Sequence, residues 1–512
     1  MNCHAKRSRM RCLIVLPVLA ALSLAQTTRL STTQASVEEN QIQWWKGQVS
    51  MSRGQVLDMI IVFRPAADGE GYTAMINIPA QGAQDVPLSD VVLTDEEIGF
   101  NIKMSGAVFT ARRNADGRAA TGRLEQRNRN MPLELVRITE REAAAVGPPR
   151  PQTPQPPFPY SQREVTYQNP RDGTTLAGTL TIPDNGRLRH PSVILITGSG
   201  PQDRDETVFG HKPFAVLSHH LTLAGIAVLR VDDRGMGAST GSTMDATSED
   251  FAGDVLAGVE FLGDQKEIDP QRVGLVGHSE GALVAALAAA QSDRIACIVM
   301  LGGPGLPGHE VLRTQLRAIA RAAQVPAEQI KQQSAAQVVL LDAIMKDAPA
   351  AAVRAAARKL VEVQMLARPN RGVDYSPQQV DTLVEAAIKS VDSVWMRSFL
   401  KRDPREALRR VRCPVLALTG SLDLQVPPEE NLPPIERSLK AAGNRDVTIR
   451  TLPNHNHMFQ ISRTGLVREY GVVTQTMSPI TLDIVRDWLR ERLNVIPPPA
   501  SQPAASAPTV SP

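Results

Sequence analysis

Five consecutive residues constrain this chain more than any others: Gly277-His278-Ser279-Glu280-Gly281. They separate an apolar, strand-like run (Arg272 to Val276) from an alanine-rich, helix-like run that begins at Ala282. A serine between two glycines at such a junction reads as a strand–turn–helix with its hydroxyl at the apex. The turn is tight enough that side chains two residues before and after the serine would run into neighbouring backbone, so both positions require glycine. The strain lifts the hydroxyl clear of the sheet, where an imidazole can reach it. The same spacing recurs at Gly237-Ala238-Ser239-Thr240-Gly241. That copy follows the polar stretch Asp232 to Met236, has no helical run behind it, and predicts a loop.

The flanking sequence alternates. Apolar runs at Val193 to Thr197, Ile226 to Val231, Val273 to Val276, Ile295 to Leu301, Val415 to Thr419 and Val447 to Leu452 are separated by helical patterns. The helices are expected at Pro213 to Ala224, Ser248 to Leu262, Ala282 to Ala290, Glu429 to Ala442 and Pro479 to Leu493. Strands apolar on both faces and alternating with helices predict a mostly parallel sheet covered by helices, an α/β architecture over residues 161–303 and 411–495. Arg163 to Gln168 and Thr175 to Ile182 read as an opening hairpin. Residues 304–410 break the alternation with an alanine-rich helical pattern. An insertion there predicts a helical cap over the strands' C-terminal edge, where such sheets bind ligands.

Ahead of this unit, residues 38–140 carry short β-prone runs cut by Gly, Asp and Asn, as in a small all-β barrel or sandwich. Trp44 and Trp45 are its expected core or plug. Residues 143–160 contain Gly147-Pro148-Pro149-Arg150-Pro151 and Pro154 to Pro159, a proline density that favours an extended, semi-rigid spacer. The Pro/Ala/Ser-rich tail, 496–512, reads as disordered.

The first 25 residues read as an export signal. Lys6, Arg7, Arg9 and Arg11 precede an apolar run from Cys12 to Leu24, and Ser23 and Ala25 supply the small residues of a cleavage site. The expected location is therefore periplasmic or secreted. No later run is long and apolar enough to span a bilayer, so no membrane span is expected in the mature chain. The whole sequence has 56 basic and 53 acidic residues, and losing the leader's four basic residues would leave 52 against 53. The slight basicity thus belongs to the leader and argues for no nucleic-acid partner. Cys3 and Cys12 lie in the leader. Cys297 and Cys413 start expected strands and read as buried free thiols.

A serine at such a turn needs a base, a group that orients the base, and donors for the developing oxyanion. In this architecture the chain order is serine, acid, histidine. Asp423 follows the run Val415 to Thr419, where a carboxylate can accept the imidazole Nδ1–H and stabilise the imidazolium. Asp403 is the runner-up but precedes that strand. The histidine must follow the last strand, and His455 and His457 of Asn454-His455-Asn456-His457 qualify equally by position. Neither has carboxylate or cysteine neighbours at metal-ligand spacing, and no metal or cofactor is expected. His278 reads as a packing or hydrogen-bonding neighbour of the serine, and His219-His220 as surface. Ile196-Thr197-Gly198-Ser199-Gly200-Pro201 follows the first core strand with residues small enough to aim backbone N–H groups at a carbonyl oxygen. Ser199 N–H and Glu280 N–H are the expected oxyanion donors.

These segments together resemble the bacterial α/β-hydrolases of the serine-aminopeptidase-like esterase branch, some of which carry an N-terminal β-rich module. The resemblance rests on Gly198 to Asp205, Arg234 to Ser239, Gly277 to Gly281, and Asn456-His457-Met458-Phe459-Gln460. It implies hydrolysis of small-molecule carboxylic esters, and its last segment selects His457 over His455 as the base, although His455 stands where the pattern carries an apolar residue. Two other readings use the same residues. An aminopeptidase or acylaminopeptidase would need a carboxylate for the substrate amine, with Asp203, Asp205 and Glu206 as candidates. A binding protein with a decayed site would not need serine, acid and histidine in this order.

Overall fold

The computed structural model describes residues 42–495, apart from 51–55, 67–70, 80–82, 103–105, 127–128, 145, 148 and 367–375. The leader and the C-terminal tail lie outside the described residues.

The N-terminal part is one antiparallel sheet of nine strands: β1 (Gln43–Ser50), β2 (Val56–Pro65), β3 (Tyr72–Ile78), β4 (Ala83–Pro87), β5 (Ser89–Leu93), β6 (Glu97–Ile102), β7 (Ala107–Arg113), β8 (Ala119–Gln126) and β9 (Arg129–Ile138). Their order is β4-β3-β2-β1-β9-β8-β7-β6-β5. The sheet curls until its far strand returns beside β3, where the Leu88 N–H donates to the Ala74 carbonyl at 2.9 Å. Alternation along β7, with Ala107, Phe109 and Ala111 buried and their neighbours exposed, turns one face inward. Trp45, Phe63, Phe100 and Phe109 fill that interior, so Trp45 is core. Trp44 points the other way and is half-buried.

The second sheet has eight strands in the order β10-β11-β13-β12-β14-β15-β16-β17. β10 (Tyr160–Gln168) and β11 (Thr175–Pro183) form the opening hairpin, and β11 runs antiparallel to β13 (Ala227–Val231). From β13 onward every pairing is parallel, through β12 (His190–Ile196), β14 (Ile268–His278), β15 (Ile295–Leu301), β16 (Val415–Gly420) and β17 (Val447–Leu452). This is the α/β-hydrolase fold. Every residue of β12 and β16 is buried, because helices cover both faces. The chain leaves β12 toward β13 on one side and β14 extends the sheet on the other, so the switch point lies between β12 and β14. There the crossovers diverge and leave a crevice at the strands' C-terminal ends.

The helix Glu280–Ala289 follows β14 and is buried along its whole length. Its alanines let the sheet and the neighbouring helix Ser248–Gly263 approach closely. That neighbour is started by a capping box between Thr247 and Asp250. Between β15 and β16 the described residues form six helices: Gly308–Ala322, Ala327–Met345, Ala350–Leu366, Pro377–Lys389, Val394–Lys401 and Pro404–Leu408. Leu312, Leu340, Trp395 and Phe399 of this insertion share one apolar core with Ile196, Leu275 and Met300 of the sheet.

The proline-dense segment differs from the expected spacer. Arg150 donates to the carbonyls of Val473 (2.7 Å), Gly471 (2.7 Å) and Phe209 (2.8 Å). Gln152 donates to the Met477 carbonyl at 2.7 Å and accepts from the N–H groups of Thr476 and Met477. The strap turns here, with the Thr153 N–H donating to the Arg150 carbonyl at 3.0 Å, and these two polar side chains satisfy a loop that has no sheet or helix partner of its own. Cys297 and Cys413 are free thiols, the first buried and the second partly so. Burial pushes the Cys413 thiol up to about 12. No helix among the described residues is long and apolar enough to cross a membrane.

Candidate active site

Ser279 stands between β14 and the helix that follows it, at φ 54° and ψ −120°. A positive φ is a strained conformation for a residue with a Cβ. It is over-determined by the surroundings. A Cβ added at Gly277 would sit 2.1 Å from the Gly281 carbonyl oxygen, and one at Gly281 would sit 2.2 Å from the Ile196 oxygen. The Ser279 N–H is held by the Leu301 carbonyl of β15 at 2.8 Å. The second serine of the same spacing is structural: buried Ser239 donates to the Asp232 carbonyl at 2.8 Å and accepts from the Ala177 N–H at 2.9 Å.

After β17 the chain folds back so that His457 and Asp423 meet. His457 Nδ1 lies 2.8 Å from Asp423 Oδ2, and both side chains are buried. The other oxygen, Asp423 Oδ1, accepts the backbone N–H groups of Gln425 (2.9 Å) and Val426 (2.8 Å), which fix the carboxylate plane. Gly302, at φ 58°, makes room for the pair, since a Cβ there would come within 3.2 Å of both Asp423 Oδ2 and His457 Nδ1. His455 is turned away. Its Nδ1 meets the Pro453 carbonyl at 2.7 Å, and burial holds its pKa below the usual histidine range. Asp403 caps the short helix Pro404–Leu408 and pairs with Arg405.

A second carboxylate–imidazole pair lies against the first. His278 Nδ1 is 2.7 Å from Glu206 Oε1, and His278 Nε2 is 3.0 Å from the His457 carbonyl oxygen. The two imidazole rings are 4.7 Å apart. Burial opposes charge on His278, but the adjacent Glu206 carboxylate outweighs it and raises the imidazole pKa. The same Glu206 oxygen accepts the Gly198 N–H at 2.9 Å.

The loop after β12 is pinned by carboxylates at every turn. Besides Glu206 on Gly198, Asp233 accepts from Thr197 Oγ1 (2.6 Å) and from the Gln202 N–H (2.9 Å). Loss of water around the Asp233 carboxyl, with Glu206 and Glu280 nearby, holds its pKa well above the usual carboxylate range. Glu280 accepts from Ser199 Oγ at 2.8 Å, Ser248 Oγ at 2.7 Å and Trp395 Nε1 at 2.9 Å. Among the described residues, the Ser199 and Glu280 backbone N–H groups have no hydrogen-bond acceptor. The expected donors therefore flank the elbow with their N–H groups uncommitted.

Glu206, Gly302 and the bond from Trp395 carry no sequence signature, because each acts through a partner distant along the chain. Position beside the elbow suggested a hydrogen-bonding role for His278 without naming its partners. His219 and His220, expected at the surface, are half-buried, His219 bonding Tyr160 Oη at 3.0 Å and His220 facing Asp483 at 3.3 Å.

The profile of a family described as the alpha/beta hydrolase family matches residues 193–469, more than half of the chain. Esterase EstD of Thermotoga maritima is 32% identical over 161 residues, which are 31% of this chain and 37% of that protein. The chain thus matches little more than a third of that esterase's length. An uncharacterised 31.7 kDa protein of Escherichia coli, from the traX-finO intergenic region, is 24% identical over 50% of this chain and 80% of its own. The solved structure of esterase Pf2001 of Pyrococcus furiosus superposes on 68% of this chain and 97% of its own, with 18% identity and a TM-score of 0.41.

Proposed function

The chain belongs to the alpha/beta hydrolase family, and on that premise we propose that it hydrolyses carboxylic esters of small molecules through an acyl-enzyme on Ser279. The observation that carries this reading is the strained backbone of Ser279, at φ 54°, held by two glycines that nothing larger could replace. In the proposed reaction Ser279 Oγ attacks the ester carbonyl while His457 Nε2 takes its proton. Asp423 keeps the Nδ1–H tautomer in place and stabilises the imidazolium. The N–H groups of Ser199 and Glu280 receive the oxyanion. His457 returns the proton to the leaving alcohol, then activates water, which releases the acid and restores Ser279.

The ester reading is preferred to a peptidase because the relative that is 32% identical over 161 residues is an esterase. An amine-binding pocket needs a carboxylate with free acceptor capacity facing the substrate. Of the three candidates, Asp205 is paired with Arg230 and Lys212, whereas Asp203 uses Oδ1 for the N–H groups of Asp205 and Thr207 and Glu206 uses Oε1 for His278 and Gly198. The basic-then-apolar leader supports an exported enzyme.

A fluorophosphonate probe tests the nucleophile. It is expected to label the wild-type protein and not Ser279→Ala, and a wild type that stays unlabelled would sink the proposal. Nitrophenyl esters set against amino-acid anilides test the substrate class, and faster turnover of the anilides would reverse the choice.

A further inference from the structure

Glu280 is an elbow residue whose side chain the proposed chemistry does not use, yet it is only 3% exposed and is gripped by three separate elements. Ser199 reaches it from the loop after β12, Ser248 from the helix Ser248–Gly263, and Trp395 from the helical insertion. The indole N–H bridges both carboxylate oxygens, at 3.1 and 2.9 Å. A buried carboxyl with this many donors from distant parts of the chain is a junction, since moving any one donor strains the others.

The junction joins the two residues whose backbone N–H groups flank the elbow. Ser199 and Glu280 are linked side chain to side chain by the 2.8 Å bond, so the spacing of their N–H groups is set by the same contact. Oxyanion stabilisation depends on donors placed within a few tenths of an ångström of where the charge develops. The third arm then ties that spacing to the insertion, because Trp395 lies in the helix Val394–Lys401, whose Met396, Phe399 and Leu400 pack in the core shared with the sheet.

We propose that the Glu280 carboxyl is a positioning residue that couples the helical insertion to the oxyanion hole, with Trp395 as the insertion's half of the link. This rests on the reading of Ser279 as nucleophile with Ser199 and Glu280 N–H as donors. Contacts that a substrate makes under the insertion can then be felt at the reacting carbonyl, which is how remote binding energy comes to raise turnover instead of only tightening binding.

The test uses the full mature chain with active sites titrated by fluorophosphonate, so that misfolded protein does not count. Deleting an oxyanion donor outright costs ~100-fold or more, and shifting one by loss of its brace is expected to cost about tenfold in kcat with little change in KM. That is the expectation for Glu280→Gln, which keeps the side chain's shape and offers an amide where Trp395 and the serines need an acceptor. Affinity for a boronic acid that mimics the tetrahedral intermediate should fall in step with kcat. Ser199→Ala and Trp395→Phe, which spare every backbone N–H, should each lower kcat by a few-fold, and the double variant by less than the product of the two. A Glu280→Gln enzyme with lower thermal stability but wild-type kcat and boronate affinity would make the contact a structural fastener and overturn the proposal. Strictly multiplicative losses in the Ser199→Ala, Trp395→Phe pair would overturn the coupling. Absence of wild-type labelling, in contrast, would bring down the hydrolase reading itself.

Discussion

His457 and His278 lie side by side with ring centroids 4.7 Å apart, and each leans on a buried carboxylate, at 2.8 Å from Asp423 and 2.7 Å from Glu206. The rings differ at their second nitrogen. His278 Nε2 is spent on the His457 carbonyl, so both of its nitrogens are committed inside the protein. His457 Nε2 makes no hydrogen bond among the described residues, to Ser279 Oγ or to any other group. On the reading proposed above, the same two functional groups at the same separation serve as a proton shuttle in one case and a strut in the other. What decides is whether the far edge of the ring is left open.

The contrast can be broken in several ways. The largest effect is expected from His457→Ala, a loss of ~10⁴-fold or more in kcat with the fold intact. His455→Ala should stay within about tenfold of wild type, as removal of a residue outside the reacting set does. If His455→Ala proved the damaging change, the assignment of the base would be wrong. Asp423→Asn comes next, with kcat down ~10³-fold or more because the amide favours the wrong imidazole tautomer. Equal activity in Asp423→Asn and wild type would remove Asp423 from the proposed triad.

Glu206→Gln should act mainly on stability. Breaking a buried pair costs about 3 kcal/mol or more, read as a lower midpoint in denaturant. A kcat loss as large as that of Asp423→Asn, without a stability change, would erase the distinction between strut and shuttle. The smallest effect is the pH dependence of that stability. The His278 pKa is raised in the fold above its ordinary 6.5, so the folded state holds the proton more tightly than the unfolded chain. The pair's contribution is then fully present below pH 6.5 and is lost as pH rises through the folded value. The stability gap between wild type and Glu206→Gln should narrow toward alkaline pH, and a gap that widened would contradict the raised pKa.

The elbow was legible because its demand is local. A strained serine needs glycine two residues away on each side, and that requirement is written in five adjacent letters. The parallel sheet was legible because strands buried on both faces are apolar throughout, as β12 and β16 are. β1 and β4 carry little strand signal. β1, QWWKGQVS, begins and ends in polar residues, and β4, AQDVP, is a short edge strand with Asp and Pro, so neither has a strand's usual composition. His457 could not be separated from His455 by spacing alone, since what distinguishes them is which ring faces Asp423. Glu206 reaches His278 across 72 residues and Trp395 reaches Glu280 across 115. Such partners are properties of the packed chain. The proline-dense strap is a related case: its proline content reads as a spacer, but docking is decided by Arg150 and Gln152.

That strap bears on how the molecule comes apart. The Arg150–Val473 bond joins residues 323 positions apart, so it can close only after the sheet and the loop around residues 470–477 are in place. A contact that closes after the rate-limiting step of folding acts on the rate of escape from the native state. Replacing Arg150 with methionine would leave three carbonyls without their donor and is expected to quicken unfolding while refolding keeps its pace. Two long polar side chains in a composition that reads as filler would thus govern how long the fold outlasts its surroundings once it has formed.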